Sequence, residues 1–181
     1  MTEILALVGS LRAESTNRKL AEAAVHLAPV GASVVIYEGL SELPFYNEDI
    51  DVEGSLPESV VAFRAAVAAA DAVLVATPEH NGTIPAVLKN AIDWASRPYG
   101  ASSITGKPLA AIGGAFGRFG GLWAQDETRK AFGIAGAAVQ GEAILSIAEA
   151  GIRFAELHPK DDAEVAAQLS AVVSGLVSAA A

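Results

Sequence analysis

The feature that most restricts the fold of this chain is a passage from an apolar strand through a polar corner into a helix. Residues Asp71-Ala-Val-Leu-Val-Ala76 form a run that is apolar on both faces after its first residue. A central parallel strand, covered by helices above and below, requires such a run. The chain then turns through Pro78, Asn81 and Gly82 and enters an amphipathic helix near Ile84. A strand that ends in a small polar turn before a helix places backbone N–H groups at the carboxyl edge of a sheet, where open α/β sheets bind ligands. Glu79, His80, Asn81 and Thr83 give this turn more hydrogen-bonding capacity than a plain connection needs.

The same alternation runs through the whole sequence. Strands are expected at Ile4–Val8, Ser33–Tyr37, Ala72–Ala76 and Pro108–Gly113, with a fifth starting near Ala137–Val139. Helices are expected from Asn17 to about Leu27, Pro57 to about Ala69, Ile84–Ser96, about Gly121–Phe132 and Asp161–Val177. Pro57 suits a first helical turn. Val60, Phe63 and Val67 form a buried stripe at three-and-four spacing. Five β–α units with right-handed crossovers predict a doubly wound sheet. The expected fold is a flavodoxin-like three-layer sandwich with a five-stranded parallel sheet in the order 2-1-3-4-5, as one domain over residues 1–181.

Composition narrows the chemistry. With no cysteine in 181 residues, disulfides, thiolate metal sites and a cysteine nucleophile are excluded. No HExxH and no clustered acids suggest a metal site. The formal charge of −9, without a basic stripe, disfavours nucleic acid. No secretory leader and no membrane span is read, and a cytoplasmic location is expected. An anionic ligand must then be captured by local geometry.

Such geometry is offered by the first β–α turn, Gly9-Ser-Leu-Arg-Ala-Glu-Ser-Thr-Asn-Arg18. Ser10, Ser15, Thr16 and Asn17 can donate to phosphate oxygens around a helix N-terminus, and Arg12 adds charge. Plain capping by Ser15 or Asn17 is the alternative, but capping uses one such residue. No G-x-x-x-x-G-K-[ST] and no G-x-G-x-x-G is present, so a monophosphate fits better than a pyrophosphate. With strands one and three adjacent across the switch point, a mononucleotide on the first loop would lay its ring against the Pro78–Thr83 turn. FMN has that reach and shape.

Gly9-Ser-Leu-Arg-x-x-Ser-x-Asn17, together with Pro78-Glu-x-Asn-Gly-x-x-Pro-x-x-Leu-Lys-Asn-Ala-Ile-Asp-Trp94, closely resembles the NADPH-dependent FMN reductase family, which includes quinone, chromate and azo-dye reductases. The resemblance extends to Leu43-Pro-Phe-Tyr-Asn-Glu-Asp49 and Gly106-Lys-Pro108. It implies that Ser10, Arg12, Ser15, Thr16 and Asn17 hold the FMN phosphate. It implies that Pro78, Glu79, His80, Asn81 and Gly82 line the ring and ribityl chain, and that Gly114, Ala115 and Gly117 close the other side. It further implies passage of hydride from NADPH or NADH to FMN, and on to a quinone, azo compound, metal oxyanion or free flavin. Self-association as a dimer or tetramer is also implied. The chain departs from the family pattern at His80, where tyrosine is common, and at Glu14, Ala86 and the serine-free Gly113-Gly114-Ala115.

Other residues carry two readings. His80 is a proton donor to a quinone or a packing group against the flavin. Lys89 and Asp93 are spaced as an exposed pair. Trp94 and Ile92 suit the core or an interface. Arg118 suits the phosphates of NADPH or a solvated loop, and the acidic loop Tyr46–Asp49 could cross a subunit boundary. The competing functions are a flavodoxin-type electron carrier, whose T-x-T-G-x-T loop is missing here, and a flavin-free binding module on the same scaffold.

Overall fold

The computed structural model describes residues 1–181. Its sheet is built around three strands with apolar residues on both faces. They are β1 (Thr2–Val8), β3 (Ala72–Ala76) and β4 (Pro108–Gly114), with β2 (Ala32–Ile36) outside β1. All pairs are parallel, in the order β2-β1-β3-β4-β5, with β5 at Ala138–Val139. In this register Val8 stands beside Ala76, and Ala76 beside Ile112. The three central strands therefore end nearly level, and the loops that leave them share one edge.

Alternation of side chains gives each face its own core. Ile4, Ala6, Leu74 and Ile112 pack with α1 (Thr16–His26) and α6 (Ala163–Ala179). Leu5, Leu7, Val73, Val75 and Leu109 pack on the opposite face with α2 (Glu58–Ala69), α3 (Ala86–Ala95) and α4 (Leu122–Ile134). Trp94 and Ile92 lie in this second core.

The fifth strand position is divided, and this was not expected. β5 pairs with Pro108 and Leu109 at the start of β4, whereas β6 (Leu145–Ile147) pairs with Ile112 to Gly114 at its end. The sheet thus has six strands rather than five. In the gap, the carbonyl of Ala111 accepts a hydrogen bond from Arg129 Nη1 at 3.0 Å. A short helix, α5 (Ala150–Arg153), follows β6.

Helix starts differ from expectation for local reasons. Pro85 is extended (φ −58°, ψ 144°), so α3 begins at Ala86 and not at Ile84. Gly120 and Gly121 both have positive φ, which delays α4 to Leu122. Asp162 caps α6 by accepting from Val165 N at 3.1 Å, so the helix begins at Ala163 rather than at Asp161.

Candidate active site

Three β–α loops meet at the level edge of the sheet. Ser10, Leu11, Arg12, Ser15, Thr16 and Asn17 from the first, Pro78, Glu79 and His80 from the second, and Gly114, Ala115, Phe116 and Gly117 from the third line one cleft of about 460 Å³. That volume falls within the range of small-molecule sites.

At one end lies the N-terminus of α1. Ser15 caps it, its Oγ accepting from Arg18 N at 3.3 Å, and its hydroxyl proton is left to donate elsewhere. Ser10 Oγ similarly accepts from Arg12 N at 3.4 Å. The N–H groups of Thr16 and Asn17 occupy the first two helical positions, where no intrahelical carbonyl is available. Arg12 is exposed and has no carboxylate partner. By contrast, Arg18 is taken by Glu38 in two hydrogen bonds of 2.6 Å and by Glu22 at 3.1 Å. Those bonds from Arg18 hold the Glu38 carboxyl below its usual range. Glu14 is exposed on its side chain and stands 4.0 Å from Lys19 Nζ, so its charge is turned to solvent and a lysine.

The second loop is a tight hairpin. His80 N–H donates to Thr83 O at 3.2 Å, and Thr83 N–H to His80 O at 3.1 Å. Asn81 (φ 54°) and Gly82 (φ 75°) take the left-handed conformations such a two-residue turn demands. They form its tip and do not line the cleft. The hairpin is tied to α4 twice. Glu79 Oε2 accepts from Trp123 N at 3.1 Å and from Ala124 N at 3.2 Å, and Thr83 Oγ1 donates to Glu127. Glu79 thereby caps a helix whose own cap residue, Gly121, has no side chain.

The third loop is fixed from both sides. Asn17 Nδ2 donates to Gly114 O at 3.0 Å, and Gly114 N–H returns a bond to Asn17 Oδ1 at 2.9 Å. Ala115 N–H donates to Ile147 O at 3.1 Å, and Ala150 N–H donates to Ala115 O at 3.0 Å. A Cβ on Gly113 would overlap the Thr77 carbonyl oxygen, and one on Gly114 would lie 2.7 Å from Ala150 Cβ. Neither of these two positions has room for a serine side chain.

Eleven of the thirteen expected binding residues therefore surround one cleft; Asn81 and Gly82 do not line it. Leu11 and Phe116 line it as well and were not foreseen. The loop at Tyr46–Asp49 is held on α3, with Tyr46 N–H donating to Asn90 Oδ1 at 2.8 Å. Lys89 and Asp93 form the exposed pair that their spacing predicts, at 2.6 Å. Arg118 lies over the Phe119 ring, 4.7 Å from its centroid, and Phe119 sits 5.3 Å from the half-exposed Trp123 ring.

The donor set suits a phosphate monoester at one end of the cleft and a planar ring at the other. Comparison with known proteins agrees. The chain is 46% identical over 127 residues to a quinone reductase of Pseudomonas putida, covering 70% of this chain and 67% of that one. It is 45% identical over 127 residues to a 2-hydroxy-1,4-benzoquinone reductase of a Burkholderia species, covering 70% and 68%. The solved structure of FerB, a flavoenzyme NAD(P)H:(acceptor) oxidoreductase from Paracoccus denitrificans, superposes with a TM-score of 0.85 at 31% identity, over 99% of this chain and 97% of the other. The family model described as NADPH-dependent FMN reductase matches residues 2–151, and the chain belongs to that family.

Proposed function

We propose that residues 1–181 form one FMN-binding domain that oxidises NAD(P)H and reduces a small aromatic acceptor, a quinone first among them. The observation that carries this reading is the single cleft shared by three loops, with a helix N-terminus at one end and a pinned hairpin at the other. When bound, FMN takes two electrons from the nicotinamide and delivers them to the acceptor.

The protein's part is binding and alignment. Ser10, Ser15 and Arg12 would hold the phosphate with the N–H groups of Thr16 and Asn17. Pro78, Glu79 and His80 would face the ring on one side, and Ala115, Phe116 and Gly117 on the other. The hairpin is locked by its own two hydrogen bonds and by Glu79 on α4, so the surface it would offer the ring is in place before the flavin binds. Arg118, Phe119 and Trp123 form a cationic and aromatic wall beside the hairpin, suited to an aromatic acceptor or to the phosphates of NADPH. A cytoplasmic location is supported by the need for NAD(P)H. Self-association is supported by a groove of about 550 Å³ between α3 and α4, where Ile134 and Tyr99 stand exposed.

The purified chain should be yellow, bleach anaerobically with NADPH, and recover its colour when a benzoquinone is added. Arg12→Ala with Ser15→Ala should weaken FMN roughly 100-fold, given one or two charge-assisted hydrogen bonds lost, while the circular dichroism spectrum is kept. Full flavin occupancy in the double variant would remove the phosphate assignment. A wild-type protein that is never bleached by NADPH or NADH would remove the reductase activity.

A further inference from the structure

We propose that the Asn17 side chain is a positioning strut that fixes the ring-binding loop, and not a ligand of the flavin phosphate. The proposal rests on the FMN reading and refines it. Asn17 sits in the first turn of the helix whose N-terminus faces the phosphate end of the cleft. Position alone would make its amide a phosphate donor. Its hydrogen bonds point elsewhere. The amide meets both backbone groups of Gly114, donating at 3.0 Å and accepting at 2.9 Å across 97 residues of sequence. It stands in for the peptide group of a neighbouring strand, at the place where β4 ends.

The amide is already engaged at both ends. Its Oδ1 and Nδ2 are each bonded to Gly114 in a buried position, whereas the equally buried Ser15 keeps a hydroxyl proton to give. What the residue offers the anion is its backbone N–H, which any amino acid but proline would supply. Gly114 leads directly into Ala115, Phe116 and Gly117, which line the ring side of the cleft. That stretch is held from outside by Ile147 and Ala150, and from inside by Asn17. Without the amide, the Gly114 N–H and C=O are left unpaired in a buried position, and the loop loses its inner support. The strut therefore sets the distance between the phosphate corner and the ring corner.

Riboflavin separates the two roles, because it has the ring but no phosphate. Apo-protein is titrated with FMN and with riboflavin, following quenching of flavin fluorescence, and its thermal unfolding is recorded alongside. Asn17→Ala should lower affinity for both flavins by the same factor, about tenfold or more, as expected for a paired hydrogen bond lost from a binding loop. The visible spectrum of the flavin still bound should shift toward that of free flavin. Arg12→Ala should weaken FMN and leave riboflavin unchanged. An Asn17→Ala protein that binds riboflavin normally and FMN poorly would overturn the proposal in favour of a phosphate ligand. One that is less thermostable but binds both flavins normally would overturn it in favour of a plain core amide. If Asn17→Ala does not fold, Asn17→Asp serves. It keeps the acceptor for Gly114 N–H but turns an oxygen toward Gly114 O, and unchanged riboflavin affinity in that variant also overturns the strut. A wild-type chain that binds both flavins equally tightly would sink the phosphate corner itself, and the strut is then judged on riboflavin alone.

Discussion

Gly113 has no room for even one methyl group, because its hydrogen points at the carbonyl oxygen of Thr77 on the neighbouring strand. Thr77 N–H in turn donates to Ile112 O at 3.0 Å, so the two strand ends are drawn together where the cleft begins. Gly113→Ala is expected to destabilise the fold by about 1–3 kcal/mol, through overpacking of a core that cannot shift. Urea unfolding measures this, and wild-type stability would show that the strand ends can part without cost. That the hydroxyls and Arg12 of the first loop gather at one helix N-terminus was legible in the sequence, because it depends on one local fact, a helix beginning there. Glu79 and Asn17 were not legible in the same way. Each is committed to a partner far along the chain, Glu79 to the start of α4 and Asn17 to Gly114. Nothing local in Pro78-Glu-His-Asn or Ser15-Thr-Asn announces those partners.

Elements show the same division. The central strands could be read because apolar residues cover both faces over five to seven positions. β6, at three residues, and α5, at four, are too short to display a period of two or of 3.6. Yet they brace the third loop, so part of the site rests on elements that sequence patterning does not reveal. The start of α6 was legible, since acids favour a helix N-terminus. There Asp162 accepts two hydrogen bonds from Arg153, at 2.7 and 2.9 Å, besides capping the helix. Those bonds hold its carboxyl below the usual range. A depressed folded-state pKa adds stability above the unfolded value near 4, and that stability is lost as pH falls through the folded value. Asp162→Ala should therefore melt below wild type at neutral pH, with the gap shrinking as pH falls below about 4. A gap that stays constant down to strongly acid pH would show that the charge of Asp162 contributes nothing.

At the scale of the molecule, the order β2-β1-β3-β4-β5 places the first and second loops side by side, as a switch point between the first and third strands requires. Acidity also matters at this scale. With a formal charge of −9, copies repel one another unless an apolar face repays the approach. If copies meet through the α3–α4 groove, where Ile134 and Tyr99 stand exposed among polar neighbours, Ile134→Lys should shift sedimentation toward the monomer at micromolar concentration. An unchanged sedimentation coefficient would place any association elsewhere. The divided fifth strand leaves a seam at the margin of the sheet. Between β5 and β6, Arg129 reaches in from α4 and occupies the Ala111 carbonyl on the outer margin of β4. A guanidinium thus satisfies a strand carbonyl that neither short outer strand reaches. On this flank, the stretch of β4 left between the two short strands is sealed by one cation seated in the seam.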